Sequence, residues 1–545
     1  MGGGKSKGTC EGTDSTSEEV SESEESSADS ESSSLAVQNG DAQEGFCARL
    51  KLCCCCSACG CSPRDHPSGR RMLHQKVLHP ETAGKDVHEF FDFDEGDILG
   101  QGGFATVCKA VVKQTKAPRA IKIILKSKVP NEERSQRLQR EIQTLFALDH
   151  PNIIKVFTTF EDAKQIYLVM ECCEGGELFD AIIEQLKMSE SDAAIIMQQI
   201  FRALVYLHEN GVCHRDLKPE NFLLSKKGPI RDNTLKIIDF GISAHFEPGH
   251  HHHVTTFTSK VGTPYYVAPE VVTRFPRYNE KVDCWSAGVI MYILLSGMFP
   301  FKEERTKDTL QKVLSGKYGF PPEIFQKVSK GAKDLIRKLL QKNVDQRLSA
   351  KEALRDPWIT NSAQQSTLPL CPAVLSNLRK YSAEHRLKKA ALQLLARQQN
   401  DDVFDQLKKQ FNELDENGDG IITFAELKQG MKKAGLAGGL SSKDLHNLAL
   451  ALDADGSGEI DYTEFLAAAM ERKSLVQESS VWAAFKVFDK NDDGRISKKE
   501  LEEVLSSQEV SNAISKAQVD RIVREVDTNG DGFIDFNEFM AMIRS

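Results

Sequence analysis

The sequence predicts a multidomain chain, a two-lobed α+β unit followed by an all-α region of four helix–loop–helix units. Its 545 residues exceed what one core holds, since domains usually run to about 100–200 residues. Between Phe90 and Trp358 the early segments read as strands (Ala120 to Leu125, Ile166 to Met170). Later segments carry helical spacing (Ala193 to His208), which is the order of a two-lobed α+β fold. From Val403 to the end one pattern recurs, with loops starting at Asp415, Asp453, Asp489 and Asp527. A repeat of that length is a supersecondary unit used again.

Residues 1–89 stand apart from both regions. The stretch 11–46 is rich in Ser, Glu and Asp and holds no Lys or Arg. It cannot bury enough apolar surface to offset its ordering entropy, so disorder is expected. A cysteine-dense segment runs from Phe46 to Cys61, followed by a Pro- and Gly-containing linker to about Glu89. Of the 14 cysteines, seven lie between Cys47 and Cys61 and six are scattered from Cys108 onward. That usage suggests no disulfide framework and fits a reducing, intracellular setting. A net charge of −9 argues against a general nucleic-acid binder. No apolar run approaches the ~20 residues that span a bilayer, and no hydrophobic stretch near the N-terminus reads as a secretory signal.

The first chemistry-bearing motif is Gly100-Gln101-Gly102-Gly103-Phe104-Ala105-Thr106-Val107, placed after an apolar strand and preceded by Leu99. Glycines let a backbone fold over phosphates without a Cβ in the way. Ala105 stands where such patterns carry a third glycine. Ala120-Ile121-Lys122 follows, then Glu141 in a helical stretch. Further on come His214-Arg215-Asp216-Leu217-Lys218-Pro219-Glu220-Asn221, Asp239-Phe240-Gly241 and Ala268-Pro269-Glu270. Any one triplet could be coincidence; all of them in this order could hardly be.

Together these motifs resemble the eukaryotic protein kinase family from about Phe90 to Trp358. Lys218-Pro219-Glu220-Asn221 with Gly262-Thr263-Pro264-Tyr265 resembles the serine/threonine branch. The resemblance implies ATP and Mg²⁺ as cofactors and protein Ser or Thr hydroxyls as substrates. ATP would lie against Leu99 to Val107. Lys122 would pair with its α- and β-phosphates and be held by Glu141. Asp216 would accept the proton of the attacking hydroxyl, and Lys218 would steady the transferring phosphoryl group. Asn221 and Asp239 would hold Mg²⁺. Met170-Glu171-Cys172-Cys173 matches the hinge, with Met170 behind the adenine pocket and backbone groups of Glu171 and Cys173 on adenine. Glu177 resembles an acidic residue that meets ribose or a substrate arginine. With Glu220 it implies substrates with basic residues near the target hydroxyl. Asp283 and Arg347 match scaffold positions. Ser259, three residues before Gly262, is a candidate activation-loop phosphosite that would pair with Arg215. His250 to His253 fall in the same segment and read as a solvated loop insertion, with metal binding as the other reading.

Each of the four later loops is twelve residues long with Gly at position 6. The first offers Asp415, Asn417, Asp419, the Ile421 carbonyl, Thr423 and Glu426. The second offers Asp453, Asp455, Ser457, the Glu459 carbonyl, Asp461 and Glu464. The third offers Asp489, Asn491, Asp493, the Arg495 carbonyl, Ser497 and Glu500. The fourth offers Asp527, Asn529, Asp531, the Phe533 carbonyl, Asp535 and Glu538. Ca²⁺ is a hard ion that takes about 6–8 oxygens, and a bidentate Glu at position 12 completes that shell. Position 8 is Ile in every loop, at Ile422, Ile460, Ile496 and Ile534, which predicts back-to-back pairing into two lobes.

Kinase motifs followed by four EF-hands resemble the calcium-dependent protein kinases of plants, apicomplexans and related protists, with a calmodulin-like domain after the kinase. The expected boundaries are 1–89 for the extension, 90–358 for the kinase and 359–402 for an autoinhibitory junction. The paired hands would occupy 403–470 and 471–545. In the junction Leu387, Ala391, Leu394 and Leu395 recur at helical spacing among Arg379, Lys380, Arg386, Lys388, Lys389 and Arg397. Such a basic amphipathic segment suits a calmodulin-like lobe. Its resemblance to the family's junction implies that it blocks the kinase at low calcium; the plainer reading is a linker helix. A catalytically dead calcium sensor and a constitutive kinase with buffering hands are the rival functions. Lys122, Asp216, Asn221 and Asp239 are all present, which argues against the first. A monomer is expected.

Met1-Gly2-Gly3-Gly4-Lys5-Ser6 fits the N-myristoylation pattern with Gly2 as acceptor, although short Gly-rich starts also arise by chance. One acyl chain binds membrane only marginally. Cys10 and the Cys53–Cys56 run, beside Arg49 and Lys51, could add palmitoylation. Metal binding at Cys56 and Cys59, or no modification, are the other readings of the cysteines. The expected location is cytoplasmic, with membrane association through acylation.

Overall fold

Alternating apolar residues, many of them β-branched or aromatic, build the first lobe. The computed structural model describes residues 85–101, 105–128, 132–185, 188–246, 262–363, 370–399, 404–436, 441–471, 478–507 and 516–545. Its main sheet is antiparallel, in the order β1-β2-β3-β5-β4. The strands are Phe91–Gln101 (β1), Ala105–Val112 (β2), Pro118–Leu125 (β3), Val156–Glu161 (β4) and Gln165–Glu171 (β5). Cys108, Ala110, Ile121 and Ile123 turn to one face and meet Phe91, Phe160, Tyr167 and Val169 in a core. That is the period-two pattern of a sheet with one face packed. The register sets Lys122 opposite Val107 and Leu168, in the middle of the sheet. β1 shifts register between Phe93 and Ile98 and again before Gly100, which bends it as it approaches the glycine-rich turn. The helix Glu132–Ala147 links β3 to β4 and packs on β4.

The second lobe is helical. Ser189 caps the helix Glu190–Glu209 by accepting from Asp192 N at 3.1 Å, and its inward face from Ala193 to Leu207 is buried. The helix Lys281–Ser296 is buried along almost its whole length, as an all-round apolar helix must be. It stops at Gly297, whose φ of 71° is the left-handed C-cap that glycine adopts without strain. Two short strand pairs frame the loop from His214 to Asn221: Val212–Cys213 (β6) with Ala244–His245 (β9), and Phe222–Leu224 (β7) with Leu235–Ile237 (β8). The lobe's last helix, Pro357–Ser362, buries Trp358 and Ile359 and so runs on past Trp358.

The junction differs from the single amphipathic stretch that the sequence suggests. It forms two helices, Pro372–Ala383 and Arg386–Gln398, broken at Glu384–His385. Glu384 adopts extended backbone, and the His385 ring caps the second helix by accepting from Lys388 N at 3.3 Å. A side-chain acceptor just ahead of a helix satisfies one of its free amides and fixes the start there.

Each calcium-type loop lies between two helices, and the loops pair as expected from the shared isoleucines. Ile422 in Ile421–Ile422 (β10) faces Ile460 in Ile460–Asp461 (β11), and Ile496 in Arg495–Ile496 (β12) faces Ile534 in Ile534–Asp535 (β13). Leu387, Leu394 and Leu395 of the junction are buried in one continuous core with Phe465 and Leu466 of the first pair and Val481, Phe485 and Phe539 of the second. The first pair also meets the helical second lobe. Arg202 donates to Asn412 Oδ1 at 3.0 Å and to its carbonyl at 3.1 Å, Lys226 pairs with Asp405, and Lys408 donates to Thr234. Among the described residues no helix is long and apolar enough to cross a membrane.

Candidate functional site

Lys122 projects from mid-sheet and donates to Glu141 Oε1 at 2.9 Å. Burial works against the lysine's charge, but Glu141 and Asp239 outweigh it and raise its pKa, so it stays a cation. Leu99, Gly100 and Gln101 end β1, and Ala105, Thr106 and Val107 begin β2. Gly102, Gly103 and Phe104 lie outside the described residues.

The catalytic loop is held from behind. Asp283, fully buried in the central helix, accepts from His214 N at 2.9 Å and Arg215 N at 2.8 Å, and pairs with His208 Nε2 at 3.0 Å. Burial pushes its carboxyl up, yet these donors win and hold it below its ordinary value. Arg215 and Asp239 both take left-handed backbone, with φ of 70° and 63°, a strain of order 1–3 kcal/mol that proteins concentrate at functional sites. Arg347, likewise buried, makes two hydrogen bonds to Glu270, at 2.6 and 2.9 Å, behind the end of the activation segment.

On that frame Asp216 faces the cleft. Its Oδ2 accepts from Lys218 Nζ at 2.7 Å, and its Oδ1 accepts from Thr263 N at 3.1 Å and Thr263 Oγ1 at 2.8 Å. Burial would raise this carboxyl, but Lys218 and Thr263 outweigh it and keep it low, so it stays ionised near neutrality. Asn221 Nδ2 donates to the Asp216 carbonyl at 2.8 Å, which leaves its amide oxygen as an acceptor. Asp239 accepts from Gly241 N at 3.2 Å with one of its two oxygens. An amide oxygen and a carboxylate are the hard donors that Mg²⁺ selects, so the donor set fits that ion.

Glu171 sits at the hinge, but its side chain turns away from the cleft. It is buried, accepts from Lys155 N at 2.7 Å and pairs with Lys236 at 2.9 Å. Only its backbone is available to a nucleotide. Cys173 follows, half-buried. Glu177 is raised by burial and then by Asp180 and Glu220, so three carboxyls share this end of the cleft. Glu220 Oε2 is buried and has no hydrogen-bond partner. An acidic groove with an unsatisfied oxygen suits a cationic side chain.

In the calcium-type loops the backbone wraps around the position-1 carboxylate. Asp415 accepts from Gly418 and Gly420, Asp453 from Ser457 and Gly458, Asp489 from Asp493 and Gly494, and Asp527 from Gly530 and Gly532. The turn needs left-handed backbone at position 6, and Gly420, Gly458, Gly494 and Gly532 supply it with φ of 80° to 87°. Position-12 glutamates fold back over the loops: Glu426 accepts from Asn417 N, Glu464 from Asp455 N, Glu500 from Asn491 N and Glu538 from Asn529 N. Asp419 Oδ1 is buried without a partner. Burial, reinforced by Asp415 and Glu426, pushes the Asp419 carboxyl up to about 7, and burial pushes Asp415 up to about 6. In the second loop, ligand oxygens of Asp453, Asp455 and Glu464 lie within 4.8 Å of one another. Crowded, desolvated carboxylates of this kind fit a calcium ion.

Gly2, Cys10, the Cys47–Cys61 cluster, His250–His253 and Ser259 lie outside the described residues. Sequence reading missed the Thr263 clamp on Asp216, although Gly262-Thr263-Pro264 was its signal. It also missed the contacts of Arg202 with Asn412 of the first hand pair, which no local motif marks.

A protein kinase domain model matches residues 93–359, and an EF-hand domain pair model matches 404–470 and 479–544. The chain is thus a protein kinase carrying two EF-hand pairs. It is 42% identical over 464 residues to calcium-dependent protein kinase 3 of Plasmodium berghei, covering 84% of this chain and 81% of that protein. It is 41% identical to calcium-dependent protein kinase 11 of Oryza sativa subsp. japonica over 87% of this chain and 79% of that one. With calcium-dependent protein kinase 21 of Arabidopsis thaliana it shares 40% identity over 86% of each. The chain belongs to the calcium-dependent protein kinase family, serine/threonine kinases with a calmodulin-like domain.

Proposed function

We propose that this chain transfers the γ-phosphoryl group of ATP to Ser or Thr hydroxyls of proteins when calcium fills its EF-hands. Magnesium-bound ATP supplies the electrophilic phosphoryl group with its charge partly neutralised. Asp216 orients the incoming hydroxyl and takes its proton. Lys218, already 2.7 Å from Asp216, neutralises charge beside it. Lys122 fixes the α- and β-phosphates, Leu99 to Val107 cover the nucleotide, and the Glu171 and Cys173 backbones meet adenine. Asn221 and Asp239 are the Mg²⁺ ligands. Glu177 and Glu220 select substrates with basic residues near the target.

The observation that carries calcium control is the burial of Leu387, Leu394 and Leu395 inside the core of the hands. With its leucines held there the junction meets the kinase through its C-terminal end, at Ala396, Arg397 and Gln398, and at low calcium the same segment would block the cleft. The direct test measures peptide phosphorylation by the full chain with Ca²⁺ and with a chelator. Strong stimulation is expected. Equal rates would leave a constitutive kinase with buffering hands, and no rate in either a calcium sensor alone. Acylation at Gly2 and regulation through Ser259 belong to the same proposal and rest on sequence pattern.

The second and fourth loops are expected to bind Ca²⁺ about tenfold more tightly than the first and third, because ligand charge tunes affinity. Asp461 and Asp535 at position 9 stand where the other loops carry Thr423 and Ser497. Calorimetric titration of Glu426→Gln, Glu464→Gln, Glu500→Gln and Glu538→Gln chains checks this. The tightest class of sites should vanish from the Glu464 and Glu538 variants; equal losses from all four would contradict the ranking.

A further inference from the structure

The second calcium loop reaches the kinase through groups that neither the catalytic motifs nor the EF-hand pattern require. The helix Tyr462–Ala469, which leaves that loop, starts against the kinase: Thr463 N donates to Asp149 Oδ2 at 2.9 Å. Asp149 belongs to the loop that follows the helix carrying Glu141, and its own N–H donates to Tyr206 Oη at 2.9 Å. A carboxylate at a helix N-terminus is favoured by the exposed amides and by the macrodipole. Arg397 of the junction enters the same place. Its Nη2 donates at 3.2 Å to the carbonyl of Phe146, in the last turn of the Glu141 helix, and its charge is drawn by Asp149 and by Asp461. Burial lowers the guanidinium and raises the Asp149 carboxyl, so each loses more than a surface charge would if its partner were removed.

The other end of the arrangement has matching polarity. The junction helix Arg386–Gln398 points its C-terminal carbonyls at the kinase, where Arg119 Nη2 meets the Gln398 carbonyl at 2.6 Å and Lys155 Nζ meets that of Ala396 at 3.5 Å. Arg119 precedes Ala120-Ile121-Lys122 on β3, and its guanidinium stacks 3.8 Å from the Phe157 ring. Kinase cations thus cap the junction helix while a kinase carboxylate caps the helix leaving the second calcium loop. Glu464, the position-12 residue of that loop, lies one residue after Thr463. A backbone shift at Glu464 on binding calcium would reach the neighbouring amide that Asp149 holds.

We infer that Arg397 and Asp149 are positioning residues that tie the second calcium loop to the Lys122–Glu141 pair. The inference rests on the calcium-activation reading above. The Glu141 helix is anchored at its C-terminal end by Arg397 of the junction at 3.2 Å. Asp149, which holds the Thr463 amide of the calcium loop at 2.9 Å, attracts that guanidinium, with Asp461 adding to the pull. Coupling between sites is reciprocal, so nucleotide in the cleft must tighten calcium binding by the factor by which calcium tightens nucleotide binding.

The test uses the full chain and two variants, Asp149→Asn and Arg397→Lys. Asp149→Asn keeps the volume and an oxygen for the Thr463 amide, so it carries the test even where Arg397→Lys loosens the fold. Calcium is titrated calorimetrically with and without a non-hydrolysable ATP analogue and Mg²⁺, and kcat and KM for a basic peptide are measured at saturating calcium. In the parent the analogue should raise calcium affinity about fivefold or more. In the variants that factor should fall towards one and kcat should drop about tenfold at unchanged peptide KM, while calcium still binds. Parent-like kcat and linkage in Asp149→Asn would overturn the inference. So would a loss of kcat with the linkage intact, which marks scaffolding alone. A parent chain without calcium stimulation would remove the activation reading and this inference with it; stimulation that persists in both variants removes the inference alone.

Discussion

Asp216→Asn is expected to lower kcat about 10³-fold while leaving ATP affinity nearly unchanged, since general-base groups contribute typically 10²–10⁴-fold. The substitution is close to isosteric. An amide oxygen can still accept from Thr263 N and Oγ1, so the clamp of 3.1 and 2.8 Å that orients the side chain survives. What disappears is the charge that Lys218 and Thr263 keep in place, and with it the capacity to take a proton from the incoming hydroxyl. About 10³ in rate is roughly 4 kcal/mol of transition-state free energy. The proposed nucleotide contacts are elsewhere, on Lys122, the glycine-rich strands and the hinge, so binding of a fluorescent ATP analogue should match the parent. Single-turnover transfer to peptide, measured beside that binding, separates the two effects. Turnover at the parent's rate would remove Asp216 from the role of base.

Lys122, Glu141, Asp216, Asn221 and Asp239, the residues proposed for phosphoryl transfer, stand out in the sequence because that chemistry asks for residue types at short, fixed offsets from glycines and from one another. The structure joins Lys122 to Glu141 at 2.9 Å. The EF-hand loops stand out for the same reason: the pattern places each candidate ligand oxygen by position, not by context, and an EF-hand pair is matched at 404–470 and 479–544. The pairing of the hands also followed from a local signal, an isoleucine at the eighth place of each loop, and the structure joins Ile422 to Ile460 and Ile496 to Ile534. The contacts between the two regions left no such trace. Arg397 and Phe146 are 251 positions apart, and Thr463 and Asp149 are 314 apart. In sequence each reads as an ordinary charged or polar residue of a helix or loop. Arg119 shows the same limit: beside Ala120-Ile121-Lys122 it reads as a surface cation, yet it is only 4% exposed, under the end of the junction helix. The break at Glu384–His385 was hidden because a histidine ring is an uncommon cap, so the run of Leu and Ala around it looked continuous.

Removing the hands while keeping the junction should leave a chain that is inactive or weak at any calcium level, and removing both should release activity without calcium. The natural cut for the second form follows Ala363, behind the helix Pro357–Ser362 that closes the catalytic lobe. The first form ends at Gln399, the C-cap of the second junction helix. In the full chain Leu387, Leu394 and Leu395 are covered by Phe465, Phe485, Phe539 and their neighbours. Without the hands these leucines are left facing water. Each buried leucine is worth about 1.5–3 kcal/mol, so the three together gain roughly 5–9 kcal/mol from any apolar surface that takes them. Among the described residues the kinase is the surface left to such a chain. Moving a switch from about 1:99 to 99:1 requires roughly 5.5 kcal/mol, a figure of the same size, so the contest between hands and kinase for these side chains is strong enough to set activity. Calcium tilts it by opening an apolar groove in each EF-hand pair. Replacing all three leucines with serine in the full chain should therefore weaken both inhibition at low calcium and rescue at high calcium, narrowing the ratio of the two rates. Peptide phosphorylation by the two truncated chains and the triple variant, each across a calcium titration, reads all of this. Full activity of the chain ending at Gln399 in the absence of calcium would make the junction a linker and assign the inhibition to the hands themselves.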